Sequence, residues 1–241
     1  MNDLGVNSED VILWFPHEQE TPFVLIRVKP EDAQAWAEEL KVPIRRCYIT
    51  DAQLTHHSNR LGVPEAEVIA SKLPDAGSTM AGDFGEILVY LYQGARAHPS
   101  TALGATKWRL KQDRTKPSPY SDVVHLELPS WPTPSTQDCV SCSEVKTKST
   151  DGASTPIVDA IRDSAKDRIS RLGRTLVWLR DRALTEDLGD IQLAHLKRFI
   201  NANDYPPAKK RFSAVAVICA TLGACPRITE HCGNKETGTG R

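Results

Sequence analysis

The segment Pro129–Gln137 (PSWPTPSTQ) carries three prolines, which bars it from a helix interior or a central strand and makes it a loop. On either side lie strand candidates, Asp122–Leu128 (DVVHLEL) and Cys139–Lys146 (CVSCSEVK). Two strands joined this way predict an antiparallel hairpin with an extended connection over residues 122–146. The rest of the chain has to be assembled around that hairpin.

Helical periodicity brackets it. From Met80, the residues Phe84, Ile87, Leu88 and Leu91 share one face, and Gly94 is a reasonable terminator. After the hairpin, Pro156 suits a first helical turn. From there to about Leu184 the pattern predicts the strongest helix of the chain, carrying Ile157, Ile161, Ile169, Leu172, Leu176 and Leu179. Residues 186–201 predict a further helix, and 212–220 (FSAVAVICA) a buried strand.

Upstream, the apolar runs 11–15 (VILWF) and 23–28 (FVLIRV) read as strands, 31–40 as a helix, 43–50 as another strand and 65–73 as a short helix ended by Pro74. Residues 105–111 (ATKWRLK) alternate as a strand would. Together these elements predict a mixed α+β (α/β) fold, with a central mixed sheet flanked by helices. There is no internal repeat and no long linker, so one domain is the economical reading. Within it we distinguish an N-terminal α/β region, 1–79, continuous with a core, 80–225, and a polar tail, 226–241, whose last residues (GNKETGTGR) predict disorder.

The 241 residues carry 30 basic and 31 acidic side chains, for a net charge of −1. Such a balance argues against a protein that only coats nucleic acid, but leaves room for an enzyme with a local basic face. Lys107, Arg109, Lys111, Arg114 and Lys116 against Asp113 form such a face, or else a solvated one. No apolar run approaches the roughly 18 residues of a membrane span. With no signal-like N-terminus, the expectation is a cytoplasmic protein that makes no use of a membrane. Of the six cysteines, Cys139 and Cys142 form a C-x-x-C. A zinc site would need Cys225, Cys232 and His231 to join them from far along the chain, so buried or incidental thiols are the simpler reading.

Glu144-Val145-Lys146 has a useful strand geometry. Residues two apart share a face, so the carboxylate and the ammonium project together while Val145 enters the other side. Hairpin pairing would bring Asp122 beside Glu144, and Glu86, on the preceding helix, would lean over the sheet. Acids gathered beside a lysine suit metal-assisted phosphodiester hydrolysis, because Mg²⁺ favours a few carboxylate oxygens and keeps several waters. The triplet alone is not specific. Glu39-Leu40-Lys41 repeats it at the end of a helix, and Glu144 with Lys146 would also serve as an ordinary charge pair on a solvated face.

The order of these pieces, Glu86 on a helix, Ser121-Asp122 on a strand, Ser143-Glu144-Val145-Lys146 and then a long helix, resembles the PD-(D/E)xK nuclease superfamily. More narrowly, GDFGEILVYLY at 82–92, KWRLK…SDVV and SEVK resemble the HamA family, effector subunits of Hachiman-type antiphage defence. The similarity covers roughly residues 80–184. It implies a restriction-endonuclease-like core and Mg²⁺-dependent cleavage of DNA, with Mn²⁺ as a possible substitute. It also implies association with a superfamily 2 helicase of the HamB type that holds the nuclease in check. Asp122, Glu144 and Glu86 would be metal ligands, and Lys146 the catalytic cation. Ser121 departs from the pattern, standing where proline is expected.

Lys107, Arg109, Lys111 and Lys166 are candidate DNA contacts, although a solvated helix face bearing Asp163 and Asp167 is the simpler reading of Lys166 and Arg168. Lys209-Lys210-Arg211 is a short basic turn. His56, His57 and His125 read as structural or surface histidines, and Trp108 and Trp131 as packing residues. The competing reading of the whole chain is a catalytically silent nuclease-fold module that binds a helicase or DNA. An RNA-cutting toxin would use the same chemistry.

Overall fold

The computed structural model describes residues 2–19, 21, 23–97 and 102–219. Its centre is a four-stranded mixed sheet of order β3-β4-β5-β6, formed by β3 (Ala102–Gly104), β4 (Val123–Glu127), β5 (Cys139–Lys148) and β6 (Lys209–Ile218). β3, β4 and β5 run antiparallel in turn, while β6 pairs parallel to β5. The hairpin expected from the proline-rich loop is therefore the middle of the sheet.

Alternation along the two central strands feeds two apolar cores. Val123 of β4 and Val145 of β5 pack with Ile87, Val89 and Leu91 of α5 (Ser78–Arg96), together with Val11 of α1 (Ser8–Leu13) and Leu40 and Cys47 of α2 (Pro30–Tyr48). On the other face, Val124, Leu126, Val140 and Cys142 meet Leu172, Leu176 and Leu179 of α7 (Leu172–Arg182) and Leu196 of α8 (Leu193–Ile200). Helices thus cover both faces of the sheet. Burial of these side chains supplies the main stabilising term, roughly 1.5–3 kcal/mol for each large one.

The N-terminal elements differ from their sequence reading in instructive ways. Residues 11–15 are not a strand. Asn7 caps a helix there by accepting the Glu9 N–H at 3.0 Å, and the helix turns Val11 inward. Residues 43–50 are not a strand either, because α2 continues through Pro43 to Tyr48. One helical hydrogen bond is lost at the proline, but Cys47 and Tyr48 reach the α5 core only if the helix persists. Of 23–28, only Leu25–Ile26 (β2) is a strand, pairing with His17–Gln19 (β1) in a separate two-stranded sheet. α3 (Asp51–Leu61) starts at a Thr50–Gln53 capping box and stops at Gly62 in the left-handed region. α4 (Glu65–Lys72) falls where a short helix was expected.

Further corrections lie in the core region. Residues 105–111 hold a 3₁₀ turn, Lys107–Leu110, rather than a strand. The long helix after Pro156 is two helices, α6 (Pro156–Lys166) and α7, joined by a π-helical turn at Asp167–Arg171. That extra residue per turn swings its first half off the expected face, leaving Ile161 62% and Ile169 82% exposed. Phe84 is likewise exposed. The helix expected over 186–201 is confined to α8. β6 is a half-exposed edge strand, not a buried one, and it incorporates Lys209, Lys210 and Arg211. Ala220, Cys225, His231, Cys232 and the tail 226–241 lie outside the described residues. Among the described residues, no helix is long and apolar enough to cross a membrane.

Candidate active site

Continuing the Val123↔Ser143 register by one step places Asp122 opposite Glu144. Asp122 replaces a ladder acceptor with its own carboxylate: Oδ2 accepts the Val145 N–H at 2.7 Å. Oδ1 has no hydrogen-bond partner among the described residues. Burial, then the nearby charge of Glu144, pushes the Asp122 carboxyl up to about 6, with the Val145 N–H pulling the other way.

Glu144 and Lys146 share the face of β5 turned toward α6 and the π turn, whereas Val145 between them enters the α5 core. Glu144 is 1% exposed, and both its oxygens are ion-paired: Oε1 with Lys146 Nζ at 2.6 Å, Oε2 with Arg171 Nη1 at 2.6 Å. Lys146 also reaches Asp163 Oδ2 of α6 at 3.1 Å. Burial opposes its charge, but the hydrogen bonds to Glu144 and Asp163 outweigh it, and its pKa is raised. Asp163 is held below the usual carboxylate range by its hydrogen bond from Lys166, with Lys146 adding to the effect.

Ser121 clarifies why proline is absent from its position. Its N–H donates to Thr175 Oγ1 at 3.1 Å and its hydroxyl to Asp167 Oδ1 at 2.8 Å, and a proline could offer neither bond. Asp122 is thereby tied to α7 and the π turn. The other Glu-x-Lys triplet contributes nothing similar, since Glu39 and Lys41 are exposed on α2 while Leu40 is buried.

Glu86 arrives from α5, the helix that covers the opposite face. Trp108 Nε1 donates to its Oε2 at 3.2 Å, and Oε1 has no hydrogen-bond partner among the described residues. Burial, then repulsion from Asp122, pushes its carboxyl up to about 8. Glu86 is thus electrostatically linked to Asp122 but does not share the Glu144–Lys146 face.

Three residues of the basic run turn inward, while Arg114 stays half-exposed beside Asp75 and Lys116 exposed beside Asp113. Lys107 is 1% exposed, and its ammonium donates to the carbonyl oxygens of Ser121 and, at 3.5 Å, Asp122; burial lowers its pKa against the pull of Glu86. Arg109 is buried against Asp3 at 2.8 Å, and Lys111 against Asp83 at 2.6 Å, where Tyr48 also donates. All three serve the interior, because the 3₁₀ turn folds them inward, and none is placed to meet a phosphate. Lys166 stays half-exposed beside Asp163. His125 is buried against Tyr90, with ring centroids 4.8 Å apart, and Trp131 packs edge-on to His195.

Arg171 and Asp163 are the site residues that sequence reasoning missed. Both lie on helical stretches rich in alternating charge, where a solvated face is the ordinary reading. Among the described residues, no three His, Cys, Asp or Glu side chains are arranged to hold a metal ion as they stand. The donor chemistry nevertheless suits a hard cation: oxygen ligands only, one open Asp122 oxygen, and crowded negative charge that a cation would relieve. The family model described as HamA matches residues 6–237. No curated protein and no solved structure matches the chain.

Proposed function

The chain belongs to the HamA family, and from that premise we propose that it is the nuclease component of a Hachiman-type antiphage system, hydrolysing DNA phosphodiester bonds with Mg²⁺. What carries this reading is the convergence of Asp122, Glu144 and Lys146 on one face of two paired strands. Asp122 and Glu144 would hold the cation, and Glu86, behind Asp122 on the far side of the strand end, would be a further ligand once a bound cation favoured its ionised form. Mn²⁺ would take the same ligands. Bound there, Mg²⁺ supplies polarisation of the phosphate and acidification of an attacking water.

The chain's own residues have separable tasks. The Val145 N–H fixes the Asp122 carboxylate. Lys146, held by Glu144 and Asp163, stays protonated at neutral pH and offers a fixed positive charge to a developing oxyanion. Control by a HamB-like superfamily 2 helicase, through the N-terminal region, is part of the same proposal. A cytoplasmic enzyme that cuts with little sequence preference needs such restraint.

A silent nuclease-fold module that binds a helicase or DNA is favoured by one observation, the full ion-pairing of Glu144. Plasmid DNA incubated with the purified protein, its partner, ATP and Mg²⁺ separates the two. We expect nicking or linearisation by the parent chain, with Glu144→Ala and Lys146→Ala each slower by about 10²- to 10³-fold and folded by circular dichroism. Equal cleavage by both variants removes this site from the mechanism, and no cleavage by any form supports the silent module.

A further inference from the structure

Glu144 is buried, yet both its oxygens already carry a cationic partner, so a divalent ion would have to share an oxygen with another cation, against their mutual repulsion, or displace it. The two partners are not equivalent. Lys146 lies two residues away on the same strand and is anchored a second time by Asp163. Arg171 comes from the π turn between α6 and α7, and its side chain is about a quarter exposed. Its guanidinium makes this one ion pair, at 2.6 Å, and the charge of Asp167, one turn back, also acts on it from beyond ion-pair distance. Its backbone carbonyl accepts the Thr175 hydroxyl at 2.9 Å, and Thr175 Oγ1 accepts the Ser121 N–H, so the backbone beneath it is fixed to the residue preceding Asp122. A pinned backbone with a partly solvated guanidinium held by one direct ion pair is built to let the side chain change partners while the site stays in place.

We propose that Arg171 is a displaceable counter-ion of Glu144, neutralising the carboxylate while no divalent ion is bound and turning to a nucleic-acid phosphate when the ion takes its place. The proposal rests on the reading of Asp122 and Glu144 as cation ligands. Its physical basis is exchange of like for like. The carboxylate trades one cation for another, and the freed guanidinium, whose planar fork matches a phosphate, is left beside the place where the substrate backbone must lie. Neither charge is stranded at any stage, which matters because a buried unpaired ion is costly. Coupling of this kind ties cation uptake to substrate capture. Without DNA, Arg171 competes with the ion; with DNA, the competitor is occupied elsewhere.

The test uses the full chain and Mn²⁺ alone as probe, titrated by isothermal calorimetry, with binding of a fluorescent DNA duplex in Ca²⁺ as the second readout. Arg171→Gln is expected to bind Mn²⁺ about tenfold tighter than the parent, and to bind DNA more weakly with a salt slope shallower by about one. Arg171→Lys keeps the charge without the fork, and it should bind Mn²⁺ more tightly than the parent, though less tightly than a well-folded glutamine variant; the comparison with the parent stands even if the glutamine variant folds poorly. Unchanged or weaker Mn²⁺ binding in both variants overturns the proposal. Asp122→Asn serves as the reference. If it loses Mn²⁺ while the Arg171 variants match the parent, the counter-ion role alone fails. If Mn²⁺ binding is indifferent to Asp122 as well, the ligand reading beneath it fails too.

Discussion

Asp122→Asn is expected to lose metal-dependent cleavage by on the order of 10³-fold, about 4 kcal/mol of barrier, while the protein becomes no less stable. The two effects have one origin. Asp122 is raised to about 6 by burial and by the charge of Glu144, whereas the unfolded chain would ionise it near the ordinary aspartate value. A carboxyl whose folded pKa is raised favours the folded state most at low pH, and that advantage is lost as pH rises toward 6. Above pH 6 the native protein therefore bears a penalty of up to about 3 kcal/mol, on the scale of 1.36 kcal/mol for each pKa unit. Asparagine removes the charge and keeps an oxygen for the Val145 N–H. Urea unfolding at pH 5 and pH 8 reads the sign: the variant should gain on the parent at pH 8 and lose that gain toward pH 4. A variant destabilised at both pH values would mark Asp122 as a structural acid. Function placed on a residue that costs stability is the usual trade in an active site.

The second large effect is purely architectural. Arg198 of α8 is 1% exposed and donates Nε to Asp138 Oδ2 at 2.6 Å, and Nη2 to the carbonyls of Ser135 and Pro206, each at 2.8 Å. Asp138 in turn accepts the Ser135 N–H, and its carbonyl takes the Lys209 N–H at 2.8 Å. One guanidinium thus joins the proline-rich loop, the start of β5 and the approach to β6. Arg198→Ala strands a buried aspartate and two carbonyl acceptors, and we expect a loss of about 3–5 kcal/mol, much of the 5–15 kcal/mol typical of a whole domain. Arg198→Lys should rescue little, since an ammonium cannot match a planar fork. Chemical denaturation measures both; a loss under about 1 kcal/mol for the alanine variant would contradict this role.

The central hairpin was legible because strand alternation is a local signal and the prolines of 129–137 left no other course for the chain, whereas the edge strand Ala102–Gly104 was missed beside the misread 105–111. The same locality made Asp122, Glu144 and Lys146 readable: two belong to one strand, and the third begins its hairpin partner. What escaped was set by packing between distant segments. Arg171 meets Glu144 from 27 residues away, through a π turn that shifts helical phase without any sequence mark. The lysines and arginine of 107–111 look like a solvent face by composition, and only the inward fold of the 3₁₀ turn reveals their buried partners. The strand reading of 11–15 failed on an overlooked cap at Asn7, and that of 43–50 on a proline the helix tolerates.

Diffraction from crystals soaked in Mn²⁺, recorded at the manganese absorption edge, would locate the ion directly. One anomalous peak is expected at bonding distance from the carboxylates of both Asp122 and Glu144, with the Arg171 guanidinium moved off Glu144. Manganese bound elsewhere, or Glu144 still clamped by Arg171 in ion-saturated crystals, would contradict this expectation.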